Sequence, residues 1–262
     1  MGEEVLTMKT TTNRAVFLDF DGVLFDTVRE VYAVTMMALR RSVRIVDIDF
    51  GSEHFAKFCQ FRYLIGPAWN YYFLMQSIDR EIVSFAVDLE GEYKKLLEEW
   101  KQEEHRSFEE SFFRARKRIR ETDHDGWLSL VSPYGIIEGM RGLISEFRGG
   151  FFLVTTRDRE SVMDLLNLHN LDIQESNIIA KKEYALHNSK AKVIQDLINK
   201  HKIKESLFID DCEGHLVACE AIENLTIIQA VWGYVAPDKK GDNSAFLLKE
   251  LESFIQGENV WA

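Results

Sequence analysis

Proline is scarce in this chain. Three occur in 262 residues, at positions 67, 133 and 237. That excludes Pro-rich linkers and extended polyproline segments, and leaves long helices free to form. Cysteine is equally scarce. Cys59, Cys212 and Cys219 show neither metal-ligand spacing nor the even count of a disulfide frame, so they read as reduced thiols in or near the core. A basic excess is also missing: 32 Lys+Arg face 43 Asp+Glu, a net charge of −11. This argues against a general nucleic-acid or anionic-membrane binder, although it leaves room for a small local basic site. No run reaches the roughly 18 apolar residues that a membrane span needs. The N-terminal stretch MGEEVLTMKTTTNR has no apolar signal core. The expected location is therefore the cytoplasm, with no membrane and no nucleic acid as partner. What is present is globular composition, 46% hydrophobic and 29% charged, enough for one large domain or two modest ones.

The first thirteen or so residues read as a frayed tail. Ala15–Phe20 (AVFLDF) then reads as a buried strand that ends in acids and a glycine, Asp21-Gly22. Parallel strands of α/β proteins end in this way where they hold ligands. From Thr27 to about Ser132 the apolar residues recur at helical spacing, as in Val31, Val34, Ala38 and Leu39, and in Tyr93, Leu96, Leu97 and Trp100. This stretch reads as almost wholly helical. It contains one proline, Pro67, and 17 of the chain's 31 aromatic residues. After Pro133 strands and helices alternate. Helices are expected over 137–147, 159–169, 190–201, 215–221 and 244–255. Strands are expected over 151–155, 177–180, 207–210 and 226–231. That alternation predicts an α/β fold with a parallel sheet covered on both faces. The basic run Arg114–Arg120 (RARKRIR) is flanked by acids and reads as a solvated helix face.

Four separated pieces can meet at one sheet edge: Asp19-Phe20-Asp21-Gly22-Val23 after a strand, Thr155 at the end of FFLVT, Lys190 at a helix start, and Asp210-Asp211 after LFI. Carboxylates gathered there repel one another unless a cation is present. Donors that are all oxygen favour a hard ion such as Mg2+. A threonine hydroxyl and a lysine suit phosphoryl oxygens. Asp19 has the chemistry of a carboxylate nucleophile, and Asp21 that of an acid and later a base.

FLDFDGVLFDT, LVTTRD, SKAKVIQDL and LFIDDCEGHLVACEA together resemble the four motifs of the haloacid dehalogenase superfamily, in its phosphatase branch. DGVLFDT and the segment VWGY (231–234) resemble phosphoglycolate phosphatases and beta-phosphoglucomutases. The resemblance implies a Rossmann-like three-layer core over 1–26 and 133–262, with an all-helical cap inserted over 27–132. It implies a Mg2+-dependent hydrolase of a small phosphomonoester metabolite, working as a monomer or homodimer through an aspartyl-phosphate. A phosphomutase is the alternative, since it shares the core motifs, and a non-catalytic binding protein is the more distant one. Asp19 would be the nucleophile. Asp21 would be the acid/base and lend its backbone carbonyl to the metal. Thr155 and Lys190 would hold the phosphoryl group, with Lys192, Lys181 and Lys182 as alternatives to Lys190. Asp211 would be a metal ligand and Asp210 a second ligand or a supporting acid.

The sequence departs from the pattern at His215, where many phosphatases carry an acid; it reads as a helix-face residue. Thr156, Arg157 and Arg62 are the candidate substrate contacts, with a surface ion pair as the alternative for Arg157. Gly66-Pro67 breaks a helix within FRYLIGPAWNYY, so that Arg62, Asn70 and the tyrosines can turn either to the catalytic edge or into the core. The charge divides unevenly. Residues 27–132 hold 16 basic and 18 acidic residues, and the remainder carries a net −9.

Overall fold

Five short apolar runs pair into one parallel sheet in a computed structural model that describes residues 13–83, 88–99 and 102–258. The strands are β1 (Arg14–Leu18), β4 (Phe151–Val154), β5 (Ile178–Ile179), β6 (Glu205–Asp210) and β7 (Leu225–Gln229), in the order β5-β4-β1-β6-β7. Two more strands, β2 (Phe25–Asp26) and β3 (Ser132–Pro133), form a small antiparallel pair. The helices are α1 (Val28–Ala38), α2 (Glu53–Gln60), α3 (Asn70–Val83), α4 (Leu89–Glu99), α5 (Gln102–Thr122), α6 (His124–Leu128), α7 (Ile136–Glu146), α8 (Arg159–Leu168), α9 (Lys181–His187), α10 (Lys190–His201), α11 (Glu213–Cys219) and α12 (Ser244–Gln256). None is long and apolar enough to cross a membrane.

Alternation along β1 explains the layers. Val16 and Leu18 pack on one face with Leu153, Leu207 and Ile209. Ala15 and Phe17 pack on the other with Phe152, Phe208, Val193 and Ile194. Both faces are buried, which is why the strands read as unbroken apolar runs. The chain leaves β1 for β4 on one side and later returns to β6 on the other. The crevice between such diverging connections, at the carboxyl ends of the strands, is where open α/β sheets bind ligands.

The predicted elements after Pro133 are all present with shifted ends, and helix 190–201 keeps its predicted limits. Three features differ from expectation. The β2–β3 pair, which sets Asp26 opposite Ser132, was not foreseen, since two-residue strands have no detectable period. Helix α9 was not foreseen either. The stretch 27–132 is helical in α1–α6 but is interrupted by residues 39–52, with one 3-10 turn at Ile45–Asp47, and by 61–69 around Gly66-Pro67. Of the expected tail only Asn13 is among the described residues, and its carbonyl accepts from the Lys204 and Glu205 amides. Residues 1–12 and Trp100 lie outside them. The cysteines are free, but Cys59 is exposed rather than near the core.

The sheet core sets the expected cost of a cavity. Phe208→Ala, at a fully buried position on β6, should lower unfolding free energy by about 3–5 kcal/mol in urea denaturation. Val46→Ala, at a position 77% exposed, should change it by less than ~0.5 kcal/mol.

Candidate active site

Asp19 is the first residue beyond β1, and its amide donates to the Ile209 carbonyl of β6 at 2.9 Å. The chain then turns tightly: the Leu24 and Phe25 amides both reach the Phe20 carbonyl, and the Gly22 amide reaches Phe25. Gly22 has φ +85°, and a Cβ there would lie 1.9 Å from Asp211 Oδ2. Gly233 is equally constrained, since a Cβ would lie 2.2 Å from the Gly22 carbonyl oxygen. Only glycine at both positions lets the turn after β1, the end of β6 and the VWGY segment close on one another.

Lys190, first residue of α10 after the N-cap Ser189, is buried and bridges two carboxylates: Nζ lies 2.8 Å from Asp19 Oδ1 and 2.7 Å from Asp210 Oδ2. Of the four candidate lysines, Lys190 is the one that meets Asp19 among the described residues. Lys192 and Lys182 are exposed, while Lys181 pairs with Glu109 at 3.8 Å and stacks on Phe113. Asp210 is fully engaged. Its Oδ1 accepts from the Cys212 amide at 2.8 Å, and its Oδ2 takes Lys190 and His215 Nδ1, the latter at 3.1 Å. His215 is therefore more than a helix-face residue; it lines the site and leans on Asp210. Asp211 Oδ2 accepts the Tyr234 amide at 2.7 Å. The Tyr234 hydroxyl donates to Asp26 Oδ1 at 2.9 Å and accepts the Thr27 amide at 2.6 Å. VWGY thus joins the acidic edge to the start of α1.

The electrostatics are lopsided. Burial, opposed by Lys190 and reinforced by Asp210, raises the Asp19 carboxyl from 3.8 to about 6. Burial, then Asp210 and Asp19, push Asp211 well above the carboxylate range. Burial would also raise Asp210, but Lys190 and His215 outweigh it and hold that carboxyl low. Asp21 behaves differently. Burial would raise it, yet Arg157, Arg116 and the Thr27 hydroxyl bring it below its ordinary value.

Arg157 is neither on the surface nor in a surface ion pair. It is 1% exposed. Its Nη1 donates to Asp21 Oδ1 at 2.9 Å and to Glu30 Oε2 at 3.3 Å, and its Nε to Ser161 Oγ at 2.9 Å. Its amide donates to Thr155 Oγ1 at 3.2 Å. The basic run 114–120 also departs from a solvated face. Arg118 and Lys117 are exposed, but Arg116 is buried against Glu30, and Arg120 pairs with Asp164 at 2.5 Å. The sequence held one legible sign of this: Phe108, Phe112 and Ile119 form an apolar stripe on α5, and Arg116 falls on it. Glu30 had no such sign, because its partners lie 86 and 127 residues away.

A cavity of about 50 Å3 lies over these groups. Its floor includes Asp19, Asp21, Thr155, Thr156, Arg157 and Asp211, while Arg62, Tyr63, Tyr71, Phe112 and Phe113 wall it from the helices between β2 and β3. Arg62 stacks between Tyr71 and Tyr234 at 5.2 and 4.3 Å. Asn70 does not line the cavity; its amide donates to the Tyr93 hydroxyl.

The donor set suits a cation. Among the described residues Asp19, Asp210 and His215 offer ligand atoms within 4.8 Å of one another, but Lys190 already bridges the two carboxylates. Asp211, buried beside Asp210 and Asp19 and only partly balanced by Arg62, is the better oxygen donor beside Asp19.

No family model and no curated protein matches the chain. Solved structures do match in fold. A predicted phosphatase from Clostridium acetobutylicum superposes with TM-score 0.55 at 15% identity, over 92% of this chain and 98% of that one. A protein assigned as a haloacid dehalogenase-like hydrolase from Bacteroides fragilis gives 0.54 at 13%, over 86% and 90%. A predicted phosphoglycolate phosphatase from Haemophilus somnus gives 0.52 at 17%, over 92% and 98%. The chain has the α/β fold of these proteins.

The raised carboxyls fix the sign of a pH effect. With Asp19 and Asp211 binding protons more tightly folded than unfolded, these two groups hold more protons in the folded chain above pH ~4, and their contribution to stability falls as pH rises through about 6. In chelator, Asp211→Asn should raise the thermal midpoint, and its advantage over wild type should grow from about pH 5 to about pH 7.5. A constant or shrinking difference would contradict this assignment.

Proposed function

We propose that the protein is a phosphomonoester hydrolase working through an aspartyl-phosphate at Asp19. The observation that carries this reading is the convergence of Asp19, Asp21, Thr155, Lys190 and Asp211 at the carboxyl ends of β1, β4 and β6. The division into a core of 1–26 and 133–262 and a cap of 27–132 belongs to the same reading. So does a small phosphorylated metabolite as substrate, since a cavity of about 50 Å3 walled by aromatic rings favours a small ester over a phosphoprotein.

In this mechanism a carboxylate oxygen of Asp19 attacks phosphorus, and the ester oxygen departs as the P–O bond breaks. Asp21 gives that oxygen a proton. Water then attacks the aspartyl-phosphate, Asp21 takes its proton, and inorganic phosphate leaves. Arg157 favours the ionised Asp21 that the second step needs. An arriving phosphate dianion opposes it, because a nearby like charge favours the protonated form required in the first. Lys190 and the Thr155 hydroxyl hold phosphoryl oxygens, and Thr156 lies beside them. Asp210 is the supporting acid that anchors Lys190. Asp19, Asp211 and the Asp21 backbone carbonyl would hold Mg2+, which when bound supplies positive charge to the transferring phosphoryl group.

The test is p-nitrophenyl phosphate turnover with the purified chain. Wild type should release phosphate without any sugar bisphosphate, lose activity in EDTA and regain it with Mg2+. Asp19→Asn should lower turnover by ~1,000-fold or more. Equal rates for wild type and Asp19→Asn would defeat the reading, and a strict requirement for a bisphosphate would shift it to a mutase.

A further inference from the structure

The acid/base carboxyl is not held by its own loop alone. Arg157 reaches Asp21 with Nη1, and the same guanidinium is gripped on two other sides, by Ser161 at Nε and by Glu30 at Nη1. Its Nη2 is buried without a partner among the described residues, and its plane lies over Phe20 at 5.6 Å. Held this way, Arg157 is a fixed template for the Asp21 carboxyl.

What fixes the template lies outside the four motifs. Glu30, on α1, is fully buried and divides its two oxygens. Oε1 accepts Arg116 Nε at 2.7 Å and Trp127 Nε1 at 3.1 Å; Oε2 accepts Arg116 Nη2 at 3.1 Å and Arg157 Nη1 at 3.3 Å. Arg116, on α5, is 3% exposed, packed against Phe112 and Phe113 at 4.8 and 5.5 Å, and touches Asp158, the N-cap of α8, at 3.3 Å. A continuous buried chain therefore runs from α5 through Glu30 and Arg157 to Asp21.

Burying such charges gains little net stability, since well-packed apolar residues would do as well. The chain does impose direction: each planar guanidinium and carboxylate restricts the orientation of the next. We propose that Glu30 and Arg116 are positioning residues for the Arg157–Asp21 pair, so that the seating of α5 on α1 sets the aim of the proton donor. The inference rests on the phosphatase reading.

The leaving group separates positioning from general structural damage. p-Nitrophenolate departs without a proton, whereas an alkoxide needs one, so a misaimed Asp21 penalises an alkyl phosphate selectively. The experiment compares kcat/KM for p-nitrophenyl phosphate and glycerol phosphate, with Mg2+, in wild type, Arg116→Met, Arg116→Lys and Glu30→Gln. Arg118→Met, at an exposed position on the same helix, is the control. The ratio of the two constants should rise about tenfold or more in Arg116→Met and Glu30→Gln, rise less in Arg116→Lys, and stay at the wild-type value in Arg118→Met. Arg116→Lys keeps the buried charge and serves if Arg116→Met fails to fold; its ratio must still exceed wild type. Folded variants that lose both activities equally, or neither, overturn the positioning role and leave the phosphatase reading intact. A wild type inactive on both esters overturns the phosphatase reading, and the positioning role with it.

Discussion

Like charges cannot be buried side by side without something between them, and that constraint organises the carboxyl edge of this sheet. Asp19, Asp210 and Asp211 come from two adjacent strands whose ends are separated by one strand spacing. Lys190 is placed between the first two by the first turn of α10. Asp211 is buried with a backbone amide beside those carboxylates, and burial, then Asp210 and Asp19, raise its proton affinity more than Arg62 lowers it. The three-layer core exists to present this edge: β1 and β6 must be flush, and the glycines at 22 and 233 must lack side chains, before the charges can meet.

A second set of charges sits beside the first and is solved by different chemistry. Lysine, a compact point charge, serves the Asp19 side. Arginine, planar and many-handed, serves the Asp21 side, where several acids must be held in fixed directions at once. Glu30, Arg116, Arg157 and Asp158 form that second set, and two of its members come from helices lying between β2 and β3. Asp19, held by Lys190, and Asp21, held by Arg157, both line the cavity. Their different partners explain why the carboxyls diverge, with Asp19 raised and Asp21 lowered although they are two residues apart.

The strands and the helices after Pro133 were legible because each is an amphipathic or apolar run with a period of its own. The α9 helix and the two-residue strands were not, being too short to show one. At the site, Asp19, Asp21, Thr155, Lys190 and Asp210-Asp211 could be picked out as strand-end and helix-start residues, and the cavity brings most of them together. Arg116 reads as one cation in a solvated run, but it is buried, and the stripe Phe108, Phe112, Ile119 runs through it. His215 reads as a helix-face residue because its partner, Asp210, lies five residues earlier, at a strand end rather than on the helix.

By itself the sequence determined the order of elements, the parallel sheet and which residues stand at strand ends, because these follow from local periodicity and chain direction. Only the tertiary structure decided which lysine meets Asp19, that Asp210 is consumed by its neighbours while Asp211 is not, and that Glu30 and Arg116 stand behind Asp21. The Lys190–Asp210 and Arg157–Asp21 contacts among them join residues 20 and 136 apart. A buried charge is stabilised by whatever opposite charge the fold delivers, and nothing in the neighbouring residues announces which one that will be.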